Sequence, residues 1–243
     1  MKVIVCESYA EMSRCAADLM AEVITSRPDC VLGLATGSTP VGMYDELVAR
    51  YEKGELDFSR VRSVNLDEYY PISPDNAQSY RYFMNKNLFD RVNIDKANTA
   101  VPDGSAADPD AECLAYEQKI AALGQVDIQV LGIGQNGHIG FNEPAEALDP
   151  LTHRTDLTES TIKANARFFS EGEVMPTAAL TMGIGTILRA KKIIILANGE
   201  AKADAIATLL SGKLTTACPA SFLNLHDDVV VICDRAAMSR VQA

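Results

Sequence analysis

Residues 131–144, LGIGQNGHIGFNEP, set His138 in a glycine-rich turn after an apolar run, with Asn136 two positions before it and Glu143 five after. Glycines on both sides leave an imidazole reachable, and a nearby carboxylate can orient it. His138 is therefore a candidate general acid/base, with Glu143 and Asn136 as its companions. A metal site is a weaker reading, because His153 and His226 are distant in sequence and no HxH or HExxH pattern occurs. A second source of proton chemistry is NLDEY at 65–69, where Asp67 and Glu68 are adjacent at the end of an apolar run. Neighbours on a strand face opposite ways, so at most one of the two carboxylates enters a given cleft. Partly desolvated there, it can take a carbon-bound proton next to a carbonyl. An exposed acidic turn before Pro71 is the alternative.

ATGSTP at 35–40 joins an apolar run to a helix opening at Pro40. The backbone of Thr36, Gly37, Ser38 and Thr39 can present N–H groups to an anion at a helix N-terminus, which favours negative charge. A plain strand-to-helix turn with Ser38 or Thr39 as N-cap fits the same residues. Lys202 opens a helix after a strand and is placed to join that turn in holding a phosphate, and Arg167 in ANARFF is a second separate cation. Either could equally be a solvated surface charge. The segment GIGQNG at 132–137 matches GxGxxG, but Gly140, Asn142 and Pro144 prevent the helix that a dinucleotide fingerprint requires, and no acidic residue follows on a second strand.

The elements that must position these groups alternate along the chain. Apolar runs at 2–6, 30–34, 61–66, 126–133, 191–197 and 228–233 fit strands buried on both faces, and amphipathic stretches at 10–25, 41–53, 78–90, 107–123 and 201–210 fit helices. Strand alternating with helix predicts an open, doubly wound, mostly parallel α/β sheet with helices on both faces, in one domain over 1–243, with its ligand site beyond the carboxyl ends of the strands. Residues 145–176 break the alternation with turn signals around a weakly helical piece, 158–169, and read as a lid-like insertion or a plain surface excursion. A net charge of −11 without a basic cluster argues against nucleic acid and anionic membrane as partners. No apolar run is long enough to cross a bilayer. Six scattered cysteines without a CxxC pair fit free core thiols in a reducing compartment, so a cytoplasmic protein is expected.

GLATGSTP at 33–40, NLDEYY at 65–70, LGIGQNGHIGFNEP at 131–144, ANARFF at 164–169 and GEAK at 199–202 resemble, in order and across nearly the whole chain, the isomerising glucosamine-6-phosphate deaminases. The resemblance implies conversion of glucosamine 6-phosphate and water to fructose 6-phosphate and ammonia, without a metal or organic cofactor. It implies ring opening by His138 with Glu143 and Asn136, proton transfer between C2 and C1 by Asp67, and phosphate binding by Thr36, Gly37, Ser38, Thr39, Arg167 and Lys202. Two departures stand out. Some members of that family carry Asp where this chain has Asn136. The basic residues after NEP and the longer tail that serve allostery in hexameric members are replaced here by AEALDPLTHRTDL and an end at Ala243, so hyperbolic kinetics and a monomer or small homo-oligomer are expected. The rivals are a 6-phosphogluconolactonase-type hydrolase, which needs no base at C2, and a non-catalytic sugar-phosphate sensor.

Overall fold

The computed structural model describes residues 1–158, 161–162, 169 and 174–241. Its strands are, in chain order, β1 (Lys2–Cys6), β2 (Val31–Leu34), β3 (Arg62–Asn65), β4 (Asp67–Tyr70), β5 (Thr99–Ala100), β6 (Ile128–Gly132), β7 (His153–Asp156), β8 (Ala178–Thr181), β9 (Ile193–Ala197) and β10 (Val229–Asp234). Seven form a parallel sheet in the order β1-β10-β9-β6-β2-β3-β5, as the alternation predicts. The principal helices are α1 (Tyr9–Ser26), α2 (Val41–Glu52), α3 (Tyr80–Asn87), α4 (Pro109–Leu123) and α5 (Ala203–Leu210). Among the described residues no helix is long and apolar enough to cross a membrane.

Local chemistry sets these boundaries. Ser8 caps α1 by accepting from Glu11 N, and Glu11 returns a carboxylate oxygen to Glu7 N. Asp108 caps α4, with Pro109 in its first turn, and Gly124 ends it at φ +87°. Central strands are apolar because both faces are covered: Ile193, Ile194 and Ile195 of β9 are all fully buried, each stabilising the fold by roughly 1.5–3 kcal/mol. Among the polar residues buried in this core, Gln129 of β6 has a close packing role. The Gln129 amide lies over Gly33 on the neighbouring strand, where a Cβ would come within 2.0 Å of its Oε1.

From β2 the chain steps outward to β3 and β5. It returns through α4 to β6, on the other side of β2, and then steps the opposite way to β9 and β10. The connections leaving β2 and β6 therefore diverge, which opens a crevice at their carboxyl ends. Just past the carboxyl ends of β3, β2, β6 and β9, four adjacent strands, come Asp67, residues 36–39, residues 133–143 and Lys202 respectively.

A second sheet, antiparallel in the order β4-β8-β7, is added to this plan. NLDEY is not simply the end of a strand: the chain leaves the large sheet at Leu66, and Asp67 begins a strand of the small one. The excursion at 145–176 is likewise more than turns, since it contributes β7. These strands are four residues long, and β7, HRTD, is partly exposed throughout. Their pairing with β8, not a run of apolar residues, makes them strands. Most of the helical piece expected at 158–169 lies outside the described residues.

Candidate active site

A cavity of about 560 Å³ occupies the crevice, and Thr36, Gly37, Ser38, Thr39, Asp67, Asn136, His138 and Lys202 all line it. Asp67 faces this space and is 6% exposed, while Glu68 points the other way and is 1% exposed. The alternative of an exposed acidic turn is thereby removed. Glu68 accepts from the backbone N–H groups of Tyr69, Tyr80 and Arg81, fixing the start of α3 against β4. Burial, reinforced by the neighbouring Glu68 charge, pushes the Asp67 carboxyl up to about 8. Burial also raises Glu68, to about 7, against the pull of its three amide N–H bonds.

The loop after β6 folds tightly on itself, with Gly137 N donating to Gly134 O and Gly134 N to His138 O. Gly137, at φ +83°, backs onto Cys218, whose Sγ would lie 2.3 Å from a Cβ there. The imidazole packs over Gly134, where a Cβ would meet its Nδ1 and Cε1 at 2.4 Å. Glycine is required here to give the ring room, a reason beyond solvent access. His138 Nδ1 comes within 3.3 Å of Glu143 Oε1. Glu143 also accepts from Asn136 Nδ2 at 2.6 Å and from Thr161 Oγ1 at 2.7 Å. Burial would raise the Glu143 carboxyl, but the His138 contact and these two hydrogen bonds outweigh it and hold the group at about 2. Asn136 Oδ1 in turn accepts from His138 N at 3.2 Å.

Thr181, which lies in no sequence motif, and Asn142 of the loop itself tie this loop to the strand bearing Asp67. Thr181 is the cross-strand partner of Asp67, and its hydroxyl accepts from Phe141 N at 3.1 Å. Asn142 Nδ2 donates to Met182 O and Ile139 O, both at 2.8 Å, while Met182 N donates to Leu66 O at 2.7 Å. Gly140, at φ +58°, is the point where the loop approaches the base, 3.6 Å from a Cβ position to Asp67 Oδ2. Tyr80 and Phe141, stacked with ring centroids 6.1 Å apart, add an aromatic wall.

Across the cavity, Gly37 adopts φ +88° in the turn before α2. No side chain caps α2, so neither Ser38 nor Thr39 is consumed in that role. Tyr9 holds the turn, its hydroxyl donating to Ser38 O and Thr39 O and accepting from Gly42 N. A free helix N-terminus and a fixed turn suit an anion. Lys202 lies in the turn Glu200–Lys202 just before α5, and among the described residues no carboxylate pairs with it. Burial lowers its proton affinity. Arg167 lies outside the described residues. Thus every expected site residue that is described converges on one cavity, except Glu143, which stands behind His138. Thr161, Thr181 and Tyr80 are additions that the sequence did not signal.

Known proteins share this plan. A family model for glucosamine-6-phosphate isomerases and 6-phosphogluconolactonase matches residues 7–232. The chain is 56% identical over 237 residues to a glucosamine-6-phosphate deaminase of Clostridium perfringens, with 98% of each chain covered. It is 53% identical over 241 residues to that of Cellvibrio japonicus, covering 99% of this chain and 92% of the other. A solved monomeric glucosamine-6-phosphate deaminase superposes with a TM-score of 0.95 at 46% identity, over 99% of this chain and 100% of that one. The 6-phosphogluconolactonase of Trypanosoma cruzi superposes with a TM-score of 0.79 at 21% identity, over 100% of this chain and 97% of the other, a likeness of fold alone. Matched along almost its whole length, and more than half identical to deaminases, the chain belongs to the glucosamine-6-phosphate isomerase/6-phosphogluconolactonase family, on its deaminase branch.

Proposed function

We infer that this protein converts glucosamine 6-phosphate and water to fructose 6-phosphate and ammonia. The observation that carries this reading is Asp67, a buried carboxylate facing the same cavity as His138, with a separate anion-binding turn across from both. The phosphate would rest on residues 36–39 and Lys202, with Arg167 assigned to it by family resemblance alone. His138 moves a proton from the anomeric hydroxyl to the ring oxygen, opening the pyranose, while Glu143 and Asn136 hold the imidazole. Asp67 then takes the C2 proton, giving an enolamine, and returns it to C1. This leaves an imine at C2, where water adds and ammonia departs. Ester hydrolysis needs no such base, so the enclosed Asp67 favours deamination over lactonase chemistry. The whole of 1–243 would act as one domain, supported by a core that runs from Cys6 to Ala237.

Ammonia released from glucosamine 6-phosphate, measured with a coupled dehydrogenase, tests the reading; no release would refute it. We further propose a cytoplasmic monomer, supported by six free cysteines and by the monomeric relative. Its rates should be hyperbolic and insensitive to N-acetylglucosamine 6-phosphate. Sigmoidal rates relieved by that compound would contradict this.

Asn136→Asp probes the departure from the acidic members of the family. The substitution sets a carboxylate where an amide now donates to Glu143 at 2.6 Å, so two acceptors would face each other. They must share a proton or separate, and either outcome removes a bond that keeps Glu143 at about 2. The kcat/KM profile, already falling below pH 8 as Asp67 takes up its proton, is expected to show its second, steeper acid limb at higher pH than in the wild type as Glu143 protonates. An unmoved limb would show that position 136 is not coupled to the proton chemistry.

A further inference from the structure

Three donors converge on the two oxygens of Glu143. Oε2 accepts from Asn136, Oε1 accepts from Thr161 at 2.7 Å, and His138 Nδ1 lies 3.3 Å from that same Oε1. The third contact is not a formed bond: His138 Nδ1 is shut off from solvent and, among the described residues, has no aligned hydrogen-bond partner. A buried ring nitrogen in that state is costly, and an acid/base histidine without a bond on its far nitrogen has no fixed tautomer. Thr161 is the occupant of Oε1. Its hydroxyl accepts from Thr158 Oγ1 at 3.0 Å, and its backbone N–H donates to Thr158 Oγ1 at 3.2 Å, so its own proton is directed at Glu143. Thr161 also lines the cavity, within reach of an entering sugar.

We propose that Thr161 is a positioning residue that shares Glu143 Oε1 with His138, holding this oxygen while the site is empty and yielding it when substrate loads. The proposal rests on the deaminase reading for the identity of the loading molecule. A sugar oxygen arriving beside Thr161 offers its hydroxyl another acceptor. The released carboxylate oxygen then accepts from His138 Nδ1–H, which leaves Nε2 free to exchange a proton with the sugar. No covalent bond changes; one hydrogen bond replaces another. His138 is thereby oriented for proton transfer only when there is something to transfer to.

Among the described residues, the other ionisable groups around the imidazole are Asp67 from β4, Tyr80 from α3, Lys202 ahead of α5 and the Cys218 thiol behind Gly137. Substitution at 161 changes none of them. Nitrogen-15 labelling of the three histidines allows the ring to be read directly, since a carboxylate-bonded Nδ1–H proton resonates at low field. The signal should be absent from ligand-free wild type and appear with 2-amino-2-deoxyglucitol 6-phosphate, the reduced open-chain form of the substrate. Thr161→Val should show it without ligand, and Thr161→Ser should behave as wild type. The proposal is overturned by a low-field signal already present in ligand-free wild type, or by its absence from folded Thr161→Val. If that variant does not fold, the wild-type comparison with and without the amino alcohol decides. The ligand-free comparison involves no sugar phosphate, so a negative deaminase assay bears on the activity and not on the sharing of Glu143.

Discussion

Asp67→Asn should abolish most deamination while making the protein more stable. Loss of the base at C2 is expected to cut kcat by about a hundred- to ten-thousandfold, with KM little changed, since the anion-binding turn and Lys202 are untouched. The stability gain follows from burial. Asp67 titrates at about 8 in the folded protein, against about 3.9 for an unfolded aspartate. Between those two values the folded state keeps a proton that the unfolded state has lost, so the stability contributed by this group falls as pH rises from 4 to 8 and then levels. Asparagine carries no such titration. The melting-temperature advantage of the variant should therefore be nil near pH 4, widen to pH 8 and stay constant above it, at roughly 1.4 kcal/mol per unit of separation as an upper bound. In the wild type, kcat/KM should rise toward pH 8 as the free carboxylate becomes available. A variant that keeps its deaminase rate would remove Asp67 from the mechanism; one that loses rate and stability together would make it a structural residue. A lactonase would be little affected in rate.

Lys202→Met should raise KM for glucosamine 6-phosphate by about ten- to hundredfold and leave kcat within severalfold. A charge-assisted hydrogen bond is worth about 1.5–3 kcal/mol, and about 1.4 kcal/mol corresponds to a factor of ten. Methionine keeps the stem of the side chain and discards a cation that burial already disfavours and that no described carboxylate neutralises. Thermal stability should therefore hold or rise. Steady-state kinetics with a parallel melt checks both halves, and an unchanged KM would place the phosphate elsewhere. These two variants separate the two ends of the substrate: Asp67 should act on kcat and Lys202 on KM.

The strand and helix alternation and the loops that hold the site were readable before the structure, because apolar periodicity and the backbone preferences of Gly and Pro act within a few residues. Even the rule that only one of Asp67 and Glu68 enters the cleft follows from strand alternation. The small antiparallel sheet was not readable. β7 and β8 lie more than twenty residues apart in sequence and come together only by pairing, and HRTD has no strand signal of its own. Gly134 looked like an access device, yet it is held as glycine by the imidazole lying on it.

By itself, then, the sequence determined the fold class, the order of the elements and the inventory of acid, base and cation, since each is encoded by residue type and short spacing. Only the tertiary structure decided what those groups are worth. Asp67 becomes reluctant to ionise because residues distant in the chain exclude water from it. Thr181 and Asn142 set how near the His138 loop comes to it, and Thr161 takes a carboxylate oxygen that His138 also approaches. Desolvation and the sharing of a hydrogen-bond acceptor are properties of a place in space, and no local pattern of residues carries them.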